Sequence, residues 1–268
     1  MNFPLCSSVS SVAKCKIMNQ TEKVRDFFDV VSEEYRDKYE KRQIFHNYFF
    51  NQRLEQATEG LDFKGKIVLD IGAGTGNLYD YIVARNDSVD FYACDISAKM
   101  LEQSNIPAAK RFVGKCYEID FPVAKFDYIF MLGVTTYLGA DEMEKTAEFI
   151  YRNLADDGAA IITFTNRQGF DTISRALGKN VIRLFRLKNK VISQSFRIYT
   201  YALSQVKNLY QGKLRMSDVR FINQTIFPFC YVFPKLSVTL ARRFGGKIKN
   251  RQAAARFSSD FIVFYKKS

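Results

Sequence analysis

Residues 67–82 read IVLDIGAGTGNLYDYI. An apolar run, Ile67-Val68-Leu69, meets the acidic Asp70; three glycines then fall within five positions, and a helical pattern follows. This pattern predicts a buried strand, a tight turn and a helix, with the turn stripped of side chains so that a ligand can approach its backbone. Gly72-Ala73-Gly74-Thr75-Gly76 fits G-x-G-x-G, whereas a dinucleotide-binding turn reads G-x-G-x-x-G and would put glycine where Asn77 stands. No lysine followed by Ser or Thr closes the turn, which argues against a triphosphate-binding loop. Asp70 narrows the ligand further: a carboxylate beside the turn repels a pyrophosphate and accepts hydrogen bonds from an ammonium group.

On either side of this stretch, strands and helices alternate. Asp90 to Cys94 is a second apolar run, ending at Asp95; Phe126 to Leu132 is a third and Ala159 to Phe164 a fourth. Helical patterns start at Leu78, run through Met100 and Leu101, and span Asp141 to Leu154. Such alternation predicts an α/β fold: a Rossmann-like, seven-stranded, mostly parallel sheet with helices on both faces and ligands at the carboxyl ends of the strands. Before the sheet, Glu22 to Glu59 carries apolar residues at spacings of three and four and reads as helix. After Asn166 the rhythm breaks: 170–197 and Tyr201 to Tyr210 read as helical, Val219 to Phe229 as a long strand and Phe261 to Tyr265 as a last one. The expected organisation is a disordered leader over 1–20, an N-terminal helical lid over 21–60 and a core over 61–268, in which 167–215 is an insertion after strand five that caps the substrate.

The 268 residues are 47% hydrophobic, enough for one sizeable core, and hold no run of about 18 uncharged apolar residues that would span a bilayer. Five scattered cysteines without a C-x-x-C pair argue against a zinc site and fit a reducing compartment, so a cytoplasmic protein without a metal is expected. The net charge of +12 is unevenly spread. Residues 1–168 carry 20 basic and 25 acidic side chains, net −5, while 169–268 carry 20 and 3, net +17. That density predicts an anionic partner: an anionic acceptor, an anionic membrane contacted peripherally, or nucleic acid.

The stretch 66–164 resembles the class I S-adenosylmethionine-dependent methyltransferases. VLDIGAGTGN is similar to their first motif, ACDIS to their second-strand acidic motif, FDYIFMLGVTTYL to their fourth strand and FIYRNLADDGAAIITF to their fifth helix, turn and strand. The resemblance implies S-adenosyl-L-methionine as cofactor. Asp70, Gly72, Ala73, Gly74 and Gly76 would surround its amino-acid part and ribose, and Asp95 would accept from both ribose hydroxyls. Ile96 and Met100 would pack on the adenine, backbone around Cys116 and Tyr117 would meet its edge, and Leu132 and Gly133 would line the methionine side. Members of the family often have an acid after strand three; this chain has Lys115 instead, which cannot accept the adenine amino group.

The stretch Phe28 to Tyr35 is similar to the FDxxAxxYD helix of small-molecule members, including quinone and porphyrin-precursor methyltransferases, and so implies that Tyr35 lies near the methyl donor. The other candidates for acceptor chemistry are His46, the only histidine, and Tyr137, with Thr136 beside it, where several relatives have histidine. The Asn/Asp-Pro-Pro-aromatic motif of amino-directed nucleic-acid methyltransferases is missing, since strand four ends in LGVT. The expected reaction is therefore methyl transfer to a hydroxyl or amine of a small or lipid-linked molecule, such as a sugar or a quinone-type ring. Two rivals are an RNA methyltransferase that tracks phosphates with its basic third and a cofactor-binding protein without catalysis.

Overall fold

A computed structural model of the chain describes residues 19–40, 44–85, 88–175, 196–210, 212–245 and 251–267. The expected leader falls almost wholly on 1–18, outside the described residues, as does 176–195 of the expected helical stretch. Five strands follow the predicted order: β1 (Ile67–Ile71), β2 (Asp90–Asp95), β3 (Arg111–Val113), β4 (Phe126–Met131) and β5 (Leu154–Thr165). Two more, β6 (Leu214–Ile222) and β7 (Asp260–Lys267), complete a seven-stranded sheet of order β3-β2-β1-β4-β5-β7-β6. Strands β1 to β5 pair in parallel, and β7 inserts antiparallel between β5 and β6. Its first residue, Asp260, therefore arrives at the edge where the parallel strands end.

The strands are apolar on both sides because both faces are covered. Val68, Phe91, Phe130 and Ile161 face one layer, which contains Leu78 and Ile82 of α3 (Asn77–Val83), while Leu69, Tyr92, Ile129 and Ile162 face another built on Met143 and Ile150 of α5 (Ala140–Asn153). Between them in sequence, α4 (Ala98–Glu102) starts at Ser97, whose hydroxyl accepts from the Met100 amide at 3.1 Å. The N-terminal helices α1 (Gln20–Glu40) and α2 (Ile44–Thr58) cover the helical stretch expected from Glu22 to Glu59. Helix α1 lies over the carboxyl edge of the sheet, where Ser97 Oγ donates to Asp29 Oδ1 at 2.5 Å and the Phe28 ring meets Tyr137 at 5.4 Å.

The chain after Asn166 departs most from its predicted reading. Residues 170–175 are helical, 196–197 are not, and α6 (Leu203–Leu209) falls within the expected Tyr201–Tyr210 helix. The expected strand Val219–Phe229 is displaced: β6 begins at Leu214 and stops at Ile222, and Phe229 instead opens α7 (Phe229–Val232). It is an edge strand whose register is set by its pairing with β7, a partner about forty residues away that local pattern does not report. Helix α8 (Pro234–Gly245) packs Val238 and Ala241 with Cys230 against Phe45 and Tyr48 of α2, and α9 (Arg251–Phe257) leads back into β7. No helix among the described residues is long and apolar enough to cross a membrane.

Candidate active site

A cavity of about 660 Å³ opens along the carboxyl edge of β1, β2 and β4, roofed by α1 and α2. Glycine is required at two turns in its wall. Gly72 has φ +73°, and a Cβ there would stand 2.2 Å from Val134 Cγ2; Gly133 has φ +80°, and a Cβ would stand 2.8 Å from the Arg53 guanidinium. The first turn is pinned by the Gly72 and Ala73 amides, which donate to the Cys94 carbonyl at 2.7 and 3.1 Å. The second is pinned by the Gly133 amide, which donates to Thr163 Oγ1 at 2.6 Å.

Two carboxylates stand at the glycine turn. Asp95 accepts from the Gly74 amide through Oδ2 and from the Ser97 amide through Oδ1, both at 2.9 Å. Burial nevertheless lifts its pKa to about 6. Asp70 is 4% exposed, and no donor among the described residues meets its carboxylate; burial, with the neighbouring Asp95 charge adding, raises its pKa to about 8. In the same cavity, Arg53 lies over the Phe49 ring at 4.1 Å and beside Gly133, its charge acts on Asp260, and its buried Nε finds no acceptor. A guanidinium and a carboxyl group, each with an unmet polar atom, thus line one cavity.

Farther along the wall is a polar group that sequence reasoning missed. Asp260 accepts from Thr165 Oγ1 at 3.1 Å and is raised in pKa by burial. Beside it, the buried Ser259 Oγ has no partner, and Asn223 also faces the cavity. Arg53 had no motif to announce it, and Asp260 only the weak signal of an acid opening an apolar strand. Both join the site through contacts between segments far apart in the chain.

Of the residues singled out from sequence, Asp70, Gly72, Ala73, Gly74, Asp95, Ile96, Met100, Cys116, Tyr117, Leu132 and Gly133 line the cavity, as do Tyr35 and Tyr137. Gly76 does not; it starts α3 with φ +77° and lies against Ser104 and Ile106. His46 does not either. It sits on α2 beside Phe45, with its ring 6.5 Å from those of Phe50 and Tyr231, and burial, helped by Arg175, lowers its pKa, so that it stays neutral at pH 7. Tyr137 is held between Phe28 and Phe196, and burial raises its phenol. Cys116 is buried and its thiol pushed up to about 12, which removes it as a nucleophile at neutral pH. Lys115 turns to Glu142, at 2.9 Å, and Thr21 of α1 donates to the same carboxylate oxygen at 2.5 Å. No group of three His, Cys, Asp or Glu among the described residues is arranged to hold a metal.

Residues 69–160, which run from β1 into β5, match the family model of a methyltransferase domain. The chain is similar in fold to magnesium protoporphyrin IX methyltransferase from Synechocystis, at 15% identity over 93% of this chain and 100% of that one, with a TM-score of 0.61. A cyclopropane synthase from Mycobacterium tuberculosis gives 12% identity, 94% and 100% coverage and a TM-score of 0.62. A phosphoethanolamine N-methyltransferase from Haemonchus contortus gives 19% identity, 94% and 61% coverage and a TM-score of 0.58. Comparison with curated protein sequences finds no significant match. The glycine turn and strands β1 to β4 fall in the stretch that matches the methyltransferase-domain model, so residues 69–160 form a methyltransferase domain on a Rossmann-like sheet.

Proposed function

We propose that this enzyme transfers a methyl group from S-adenosylmethionine to a hydroxyl or amine of a small or lipid-linked acceptor. The observation that carries the reading is a pair of unmet polar groups in one cavity: the Asp70 carboxyl at the glycine turn without a donor, and Arg53 Nε without an acceptor. An amino-acid ligand is a zwitterion, and its ammonium and carboxylate complete these two groups. Asp95, with two backbone donors already holding its orientation, retains lone pairs for a ribose diol. Ile96 and Met100 give the purine an apolar seat.

When bound, S-adenosylmethionine supplies an electrophilic methyl group on a cationic sulfur. The protein's own work is to orient the acceptor, exclude water and take a proton. In this reading the Asp260 carboxylate accepts the proton that the acceptor hydroxyl or amine loses, and Tyr35 and Tyr137 orient the acceptor, the Tyr137 phenol remaining protonated. Residues 21–60 serve as the lid over the cofactor and 167–215 as the cap over the acceptor.

Titration calorimetry with S-adenosylhomocysteine tests the cofactor assignment. Wild type binds, and Asp95→Ala binds at least about tenfold more weakly, because hydrogen bonds to a charged group are worth roughly 1.5–3 kcal/mol each. Absence of binding by wild type, or equal affinity in the variant, would sink the assignment. The +17 of residues 169–268 favours a second reading, an RNA acceptor. Methyl incorporation into RNA that falls steeply with salt, and none into small hydroxylated or amine acceptors, would replace the first reading with it.

A further inference from the structure

We propose that the outer face of residues 229–243 docks this protein on an anionic membrane, beside the wall of the acceptor cavity. The inference goes beyond methyl transfer and does not depend on it. Helix α8 already has an inward stripe, Val238 and Ala241, packed against α2. A second apolar set faces outward: Phe229 and Val232 of α7, Phe233 at the break between the helices, and Leu236 and Leu240 of α8 are all exposed, Val232, Phe233 and Leu236 by 63%, 54% and 50%. Helix folding and core packing do not require this second set, and an exposed apolar patch of this kind marks an interaction surface.

Charge selects the occupant. Lys235, Arg242 and Arg243 are exposed on the same helix, and the sequence contains no acid between Asp218 and Asp260. A second copy of the chain would bring the same positive charge to the contact and repel. A nucleic acid would use the basic residues but gives no role to an aliphatic stripe. An anionic bilayer takes both, with the apolar side chains entering the headgroup boundary and the Lys and Arg side chains meeting lipid phosphates.

The position of the face gives the docking a purpose. The helical turn 170–175 contributes Asp171 and Arg175 to the cavity wall while Phe170 and Ile173 on the same turn are exposed. Phe170 meets the exposed Phe257 ring at 5.2 Å, and the Arg175 guanidinium lies 5.9 Å from the Tyr231 ring. Apolar surface therefore adjoins the cavity wall, and docking there would bring a membrane-borne acceptor close to the site.

Flotation of the full chain with vesicles of phosphatidylcholine alone, and with phosphatidylglycerol added to a third, tests the proposal. Binding is expected to the anionic vesicles and not to the neutral ones. Leu236→Glu combined with Leu240→Glu should abolish it while an unshifted thermal melt shows that the fold is intact. Lys235→Gln with Arg243→Gln should weaken it by about fivefold for each charge removed. Equal recovery with neutral and anionic vesicles, or undiminished flotation of the leucine variant, overturns the proposal. So does a wild type that ignores both vesicles but binds RNA equally well with and without the leucine changes, or one that forms a dimer which those changes dissolve.

Discussion

Replacement of Asp70 by asparagine should change how cofactor affinity depends on pH. Burial penalises the charge of the Asp70 carboxyl and Asp95 stands nearby, which together raise its pKa to about 8. Only the ionised form can receive an ammonium group, so the observed affinity is the intrinsic one multiplied by the ionised fraction. That fraction is about one in eleven at pH 7, about one in a hundred at pH 6 and about nine in ten at pH 9, by the ordinary titration relation for a pKa of about 8. Asp95, at about 6, adds a further factor of about two at pH 6. Calorimetry with S-adenosylhomocysteine between pH 6 and 9 should show the wild-type to Asp70→Asn affinity ratio rising about tenfold from pH 6 to 7, about fivefold from 7 to 8, and levelling by pH 9. The ligand's own amine titrates equally in both experiments and cancels in the ratio. The sign for the empty protein is opposite. A carboxyl with a raised folded pKa contributes stability at acid pH that is lost as pH climbs toward 8, so Asp70→Asn should melt higher than wild type at pH 8.5. A pH-independent affinity ratio would refute the assignment of Asp70 as the ammonium's partner.

Three further substitutions probe the site. Gly72→Ala puts a methyl group 2.2 Å from Val134 Cγ2 at positive φ, whereas Gly60→Ala, at φ +80° with open space around it, suffers only the backbone penalty. Differential scanning calorimetry should show the first losing about 1–3 kcal/mol more than the second. Asp260→Asn should lower kcat by roughly 10²–10⁴ with unchanged cofactor affinity, as loss of a general base does; equal loss in Kd would make it a structural residue instead. His46→Gln should keep kcat within about twofold, since the imidazole does not line the cavity; a large fall in steady-state turnover would bring the histidine back into the chemistry.

What the sequence makes legible here is what neighbours in the chain determine. The glycine turn, Asp95 and the β1 to β5 alternation follow from local period and from the backbone freedom of single residues. The choice between G-x-G-x-G and its dinucleotide counterpart rests on Asn77 alone. What escapes is set by distant partners. Arg53 becomes a site residue because α2 crosses near Gly133, eighty residues later, and Asp260 because β7 runs against the other strands. His46 misleads for the converse reason: its residue type suggests chemistry, while its place among Phe45, Phe50 and Tyr231 is a packing position.

The ion pair between Lys115 and Glu142 has a consequence for inhibition. With those charges cancelling each other, Asp70 and Arg53 are left, under the proposed function, to grip the amino-acid end and Asp95 the ribose. S-adenosylhomocysteine, which keeps the amino-acid end after the methyl has gone, would then leave slowly and compete with the next turnover. Methylthioadenosine, with the same purine and ribose but no amino acid, would be the weaker competitor. Clearance of the spent cofactor would then govern how fast such an enzyme can cycle.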